Sequence, residues 1–174
     1  MASVTLPPGT GQSVNPGVTP TWVFTATSKV ANTLRLANTG LYPVYAGGAN
    51  VSQFNGLIIP PGSRAVELQN VQGTVYTCSG VSPTATGYTL AASALAAGST
   101  AFTVSASVAT ITAGSYVILG AAGSQEVVSV SATGGATTTT FTLATATLYD
   151  HVASSPATLA TAQLGQVQVN AGIV

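Results

Sequence analysis

The sequence predicts an all-β protein in which an extended N-terminal arm precedes two small β-sandwich or barrel domains. Two observations carry this. Short runs of alternating apolar and polar residues recur along the chain, and Gly- or Pro-containing turns separate them at close, regular spacing.

Residues 1–20 read as the arm. They hold Pro7, Pro8, Pro16 and Pro20 with Gly9, Gly11 and Gly17, and little that fills a core. Proline removes amide donors and glycine adds backbone freedom, so such a segment orders only against a partner surface.

Residues 21–82 read as the first β-domain. Trp22–Ala26 opens it, and Thr33–Ala37 follows with Leu34 and Leu36 on one face and Arg35 on the other. Asn38-Thr39-Gly40 turns the chain into Tyr42–Ala46, and Gly47–Asn50 turns it again. Gly56–Ile59, a Pro60-Pro61-Gly62 turn, Ala65–Leu68 and Gly73–Ser79 complete the domain.

Residues 83–98 read as a linker or short helix. Ser82–Gly87 has linker composition, whereas Ala91–Ala97 has high helix propensity but no cap and only Leu95 as a larger apolar residue. The second run is therefore a short helix or an irregular strand. Residues 99–174 form the second β-domain, with strands at Ala101–Ser105, Ser115–Leu119, Glu126–Val130, Thr138–Leu143 and Gln166–Asn170. Val128 and Val130 share a packing face, and Glu126 is expected at its end, in reach of water. Thr100–Val104 echoes Thr139–Leu143, a match that a Thr-rich β-chain also produces by chance.

Charge is almost absent. Lys29, Arg35, Arg64, Glu67, Glu126 and Asp150 make up 3% of the chain, against roughly 25% in an ordinary soluble domain. Net charge is zero and mean hydropathy is +0.48. A neutral surface lacks the repulsion that keeps monomers apart, so a permanent assembly is favoured over a freely diffusing enzyme. Three basic residues within residues 29–64 make no nucleic-acid footprint, and no nucleic-acid partner is expected. Residues 1–80 carry +2 and residues 81–174 carry −2, which suits opposite faces meeting different partners.

No membrane partner is expected either. A spanning helix needs about 20 consecutive apolar residues, and the most apolar stretch, Leu90–Ala97, stops at Gly98. No charged n-region with an apolar h-region follows Met1, so the chain is expected to be made in a cytoplasm and to stay there or leave by lysis.

Chemistry-bearing motifs fail on mechanism. Pro7–Ser13 resembles a phosphate loop but has Gln12 where a lysine must stand, and Leu6 replaces the first glycine. Asp150 and His151 are the one acid–imidazole neighbour pair, yet no nucleophile elbow accompanies them, and Asp150 is expected to cap backbone amides in a turn. One His and one Cys cannot build a metal site. Cys78 alternates within a strand and reads as a small core residue. Asn50-Val51-Ser52 matches a glycosylation sequon in a loop. No catalytic residue, cofactor or metal is expected.

Two stretches resemble structural proteins of tailed bacteriophages. Leu34–Gly40 through Val44–Val51, with Asn55-Gly56, Ile59–Gly62 and Gly73–Tyr76, is similar to a small β-domain of phage head and tail accessory proteins. Ile111–Val117, with Gln125–Val128 and Tyr149–His151, is similar to a second β-module of virion proteins. The resemblance implies a virion part without catalytic residues, and small size and low charge point to a capsid decoration (cement) protein. Its expected place is the capsid surface, after synthesis in the host bacterial cytoplasm. Its expected partners are the major capsid protein and further copies of itself in a trimer. Leu6, Pro7, Pro8, Val14, Pro16, Val18 and Trp22 are then the candidate capsid or subunit contacts, laid down by β-augmentation. The alternative is a head or tail fibre segment that binds a host surface, but the sequence displays neither a repetitive shaft nor a carbohydrate-binding aromatic cluster. A hydrolase would need an acid–base constellation that this inventory lacks.

Overall fold

Every regular element among the described residues is a β-strand, as the alternating runs require. The computed structural model describes residues 11–26, 32–62, 64–106, 111–133 and 139–173. They divide into two units: Met1–Gly80 together with Gln163–Val174, and Val81–Ala162.

The first unit is a sandwich. One sheet runs β1 (Gly11–Val14), β13 (Val167–Ile173), β3 (Asn32–Asn38), β6 (Val66–Leu68), every neighbour antiparallel. The other runs β5 (Leu57–Ile59), β4 (Val44–Gly47), the first half of β7 (Thr74–Thr89), β2 (Thr21–Thr25). Leu34, Leu36, Val167 and Val169 from the first sheet meet Val23, Phe24, Val44, Ala46, Ile59 and Val75 from the second in one core. Two sheets that each bury one face against the other satisfy the apolar alternation of both. A bulge in β2 between Trp22 and Phe24 turns the consecutive residues Val23 and Phe24 both inward, which strict alternation forbids. Arg35 lies opposite Glu67 on the outer face of β3 and β6, and its Nε donates to Glu67 Oε2 at 3.0 Å.

The second unit is a barrel. Its strands follow the order β7 (second half), β12 (Pro156–Gln163), β9 (Tyr116–Leu119), β10 (Glu126–Thr133), β11 (Thr140–Leu143), β8 (Ala101–Thr103). Leu90, just past β7, bridges Val104, just past β8, and the amides of Ala91 and Ser105 donate to the carbonyls of Thr103 and Thr89. The sheet therefore closes on itself, which removes the open edges that a flat sheet of these strands would present. Phe102, Val104, Val117, Leu119, Val128, Val130, Phe141 and Leu143 fill its interior. The echoing segments Thr100–Val104 and Thr139–Leu143 supply neighbouring strands β8 and β11, with Phe102 directly opposite Phe141 and ring centroids 5.3 Å apart.

Three expectations are corrected. Residues 11–20 are not an arm without a core: β1 pairs with β13 over four positions, Pro16 is buried, and Val18 is only 8% exposed. Residues 1–10 lie outside the described residues. Residues 83–98 are neither linker nor helix, because 83–89 continue β7 and Leu95 pairs with His151 in an isolated bridge. The second domain does not extend to residue 174, since β13 belongs to the sandwich, where Val167 and Val169 are fully buried. The barrel is thus inserted between β7 and β13. Burying each such valine is worth about 1.5–3 kcal/mol, more than a polar C-terminal tail would recover in water.

Phe141 is the barrel's most enclosed ring. Phe141→Ala should lower unfolding stability by about 3–5 kcal/mol in chemical denaturation, whereas Glu67→Gln, which breaks only the exposed pair with Arg35, should cost at most about 1 kcal/mol.

Candidate functional site

Among the described candidate contacts, Val14, Pro16 and Val18 take part in the chain's own fold. Val14 packs against the sandwich core, and Val18 is part of the buried set. The Ser79 hydroxyl donates to the Pro16 carbonyl at 2.6 Å, while the Ser79 amide donates to Gly17 at 2.7 Å. These bonds fasten residues 16–17 to β7. Trp22 is half-buried, and its indole Nε1 donates to Thr25 Oγ1 at 2.7 Å. Leu6, Pro7 and Pro8 lie outside the described residues. Val14 and Val18, the larger apolar residues of this stretch, are the sequence signal that residues 11–20 contribute to a core.

Exposed apolar side chains sit instead on loops that polar staples hold in place. In the sandwich, Leu41 is 85% and Leu164 62% exposed, with Tyr42 beside Leu41. The buried Asn38 side chain organises this end: Nδ2 donates to the carbonyls of Tyr42 and Ile59 at 2.8 Å each, and Oδ1 accepts from the Gly40 amide at 2.9 Å. The amides of Thr39 and Gly40 both donate to the Gln166 carbonyl, so the Leu41 and Leu164 loops are tied together. Gly165 permits that approach, because a Cβ there would lie 2.4 Å from Val44 Cγ2. Edge strand β5 adds Leu57 and Ile58, both exposed, with Phe54 in the turn before them.

In the barrel the staple is a buried acid–imidazole pair. Glu126 was expected to reach water, but it shares the inward face of β10 with Val128 and Val130 and is 4% exposed. Burial is tolerated because both carboxylate oxygens are hydrogen-bonded. Glu126 Oε1 lies 2.7 Å from His151 Nε2 and 3.3 Å from the Tyr149 amide, and Oε2 accepts from the Leu148 amide at 2.8 Å. Glu126 Oε1 and His151 Nε2 share one hydrogen across this contact. Nδ1 faces Gly120 and has no hydrogen-bond partner among the described residues. A Cβ at Gly120 would sit 2.6 Å from that nitrogen, and the φ of +91° there is also one that glycine adopts freely.

The 147–151 segment is further clamped to 95–99. Leu95 and His151 exchange backbone hydrogen bonds at 2.8 Å, Asp150 Oδ1 caps the Ala97 amide at 2.8 Å as the turn reading expects, and Thr147 Oγ1 donates to the Ala96 carbonyl. The loop held this way displays Leu148, Tyr149 and Val152, the last 75% exposed.

The chemistry available to solvent is therefore sparse. The Glu126–His151 pair is enclosed, with side chains 5% and 0% exposed, and among the described residues no hydroxyl is bonded to the imidazole. Burial pushes the Cys78 thiol up to about 12, so no thiolate forms at neutral pH, in line with the core role read from the strand alternation. Among the described residues no three of His, Cys, Asp and Glu converge as metal ligands. Asn50 and Ser52 belong to a tight turn in which Asn55 Oδ1 accepts from the Ser52 amide and Nδ2 donates to the Asn50 carbonyl. No known protein family matches the chain, and no match is found among curated proteins or solved structures.

Removing one partner of the buried pair exposes the role of the staple. Glu126→Ala strands an imidazole and two amides, and should cost about 3–5 kcal/mol in urea denaturation followed by circular dichroism. Glu126→Gln keeps an accepting oxygen and should cost less.

Proposed function

We propose that the protein is a non-enzymatic structural component of a tailed-bacteriophage virion, a decoration subunit seated on the outer surface of the capsid. Its partners in this reading are the major capsid protein and copies of itself in a trimer. One observation carries it: exposed large apolar residues stand on stapled loops of a chain that has almost no charge. Such surfaces pair permanently with other apolar surfaces, since little ordering entropy is lost and no ion must be desolvated. The resemblance of residues 34–51 and 111–117 to virion modules supports the same assignment.

Attachment is assigned to the domain loops rather than to residues 11–20, where Pro16 and Val18 are already buried and Val14 packs against the core. The Leu41–Tyr42 and Leu164 loops and the Leu148–Val152 loop are the contacts of choice. Catalysis has no part in this reading, because the only imidazole is enclosed and bound to a carboxylate.

Salt separates apolar attachment from charge-driven attachment. Between about 0.05 M and 1 M NaCl the Debye length contracts from over 10 Å to about 3 Å, yet occupancy of purified particles should stay nearly constant. Release by salt alone would refute apolar attachment. Labelling of the intact particle should place the protein on the capsid exterior, and a position in the tail would refute the decoration role.

A further inference from the structure

The sandwich sheet β5–β4–β7–β2 contains no charged residue in any of its strand segments within the unit, TWVFT, VYAG, LII and TVYTCSG. The sandwich's charged pair, Arg35 and Glu67, lies on the opposite sheet. On the outer face of the uncharged sheet the fold gathers aromatic rings that sequence order keeps 54 residues apart. Trp22 on β2 stands directly opposite Tyr76 on β7, and both are half-buried. Facing cross-strand side chains have Cβ atoms about 4.5–5.5 Å apart, so Trp22 and Tyr76 are immediate neighbours on this face.

The inward alternates Val23, Phe24, Val75 and Thr77 are buried, which fixes Trp22 and Tyr76 on the outer side. Hydroxyls frame the rings. Trp22 Nε1 donates to Thr25 Oγ1 at 2.7 Å, and Thr25 Oγ1 lies 3.1 Å from Thr74 Oγ1, so the indole is held in one orientation beside two hydroxyl groups. An oriented indole with a tyrosine opposite it, bordered by neutral hydrogen-bonding groups and with no charge in the strand segments, matches the chemistry of a sugar. Its C–H face packs on aromatic rings while its hydroxyls exchange hydrogen bonds with other hydroxyls.

The geometry points to a binding platform for uncharged carbohydrate on this face, with Trp22 and Tyr76 as stacking residues and Thr25 and Thr74 as hydrogen-bonding partners. The absence of charge selects against sialylated or sulfated glycans, which would be desolvated without a countercharge. This platform is independent of the decoration role and would give a particle-bound subunit a second partner, a neutral glycan surface.

Trp22 is the chain's sole tryptophan, so its fluorescence reports this face directly. The full-length protein is titrated with neutral hexasaccharides of glucose, galactose and N-acetylglucosamine, and with a sialylated oligosaccharide as the charged probe. At least one neutral hexasaccharide should shift or quench Trp22 emission saturably, with an affinity unchanged between low and molar salt. Tyr76→Ala should weaken that affinity at least tenfold. Thr74→Val, which keeps the shape and removes the hydroxyl, should weaken it several-fold, with melting temperatures near wild type certifying both folds. An emission unchanged by every neutral hexasaccharide at millimolar concentration overturns the proposal. So does tighter binding of the sialylated probe, or an emission shift that depends only on protein concentration, which would make the face a contact between copies of this chain.

Discussion

The seven-position antiparallel pairing between β3 and β13 is the interaction on which the rest of the sandwich rests. It joins Asn32–Asn38 to Val167–Ile173 across more than a hundred intervening residues. With β13 in place, β1 and β3 each have a neighbour, and Val167 and Val169 complete a core that the first eighty residues alone leave open. Closing so long a loop costs only a few kcal/mol more than closing a short one, because the entropy grows with the logarithm of length. The barrel can therefore fill the interval in the chain at little entropic expense to the sandwich.

Scarcity of charge shapes everything else. With so few ions available, loops are fixed by neutral side chains that bond the backbone, as Asn38 does with Tyr42, Ile59 and Gly40, and Ser79 with Pro16 and Gly165. The one buried ionisable pair follows the same logic, since Glu126 spends most of its capacity on the Leu148 and Tyr149 amides. What remains outward is largely uncharged, with Arg35, Arg64, Glu67 and Asp150 as the exposed ions among the described residues, a surface suited to lasting neutral contacts.

Local pattern was legible in the sequence, and long-range partnership was not. Leu34, Leu36 and Arg35 sort onto the faces that their alternation dictates, and Asp150 caps a backbone amide as its turn context requires. Strand β12 escaped notice because Pro156–Gln163 is built of Ala and Thr, with Leu159 as its only large apolar residue. Such a strand acquires its identity from neighbours β7 and β9. The fate of Glu126 was hidden for a similar reason: a carboxylate at a strand end looks solvated until His151, twenty-five residues on, is folded against it. Likewise Trp22 and Tyr76 become a surface only through the register of β2 with β7.

Cross-linking across β3 and β13 tests the insertion topology most directly. Arg35 and Asn170 are directly opposed and both exposed, so Arg35→Cys combined with Asn170→Cys places two thiols within disulfide reach. The native Cys78 is buried and does not compete. The account predicts near-complete disulfide formation in the folded, full-length protein under mild oxidation. It also predicts little for Arg35→Cys with Gln168→Cys, a diagonal pair about 7–8 Å apart. Equal cross-linking of both pairs, or of neither, would contradict the register and with it the return of the C-terminal strand into the sandwich.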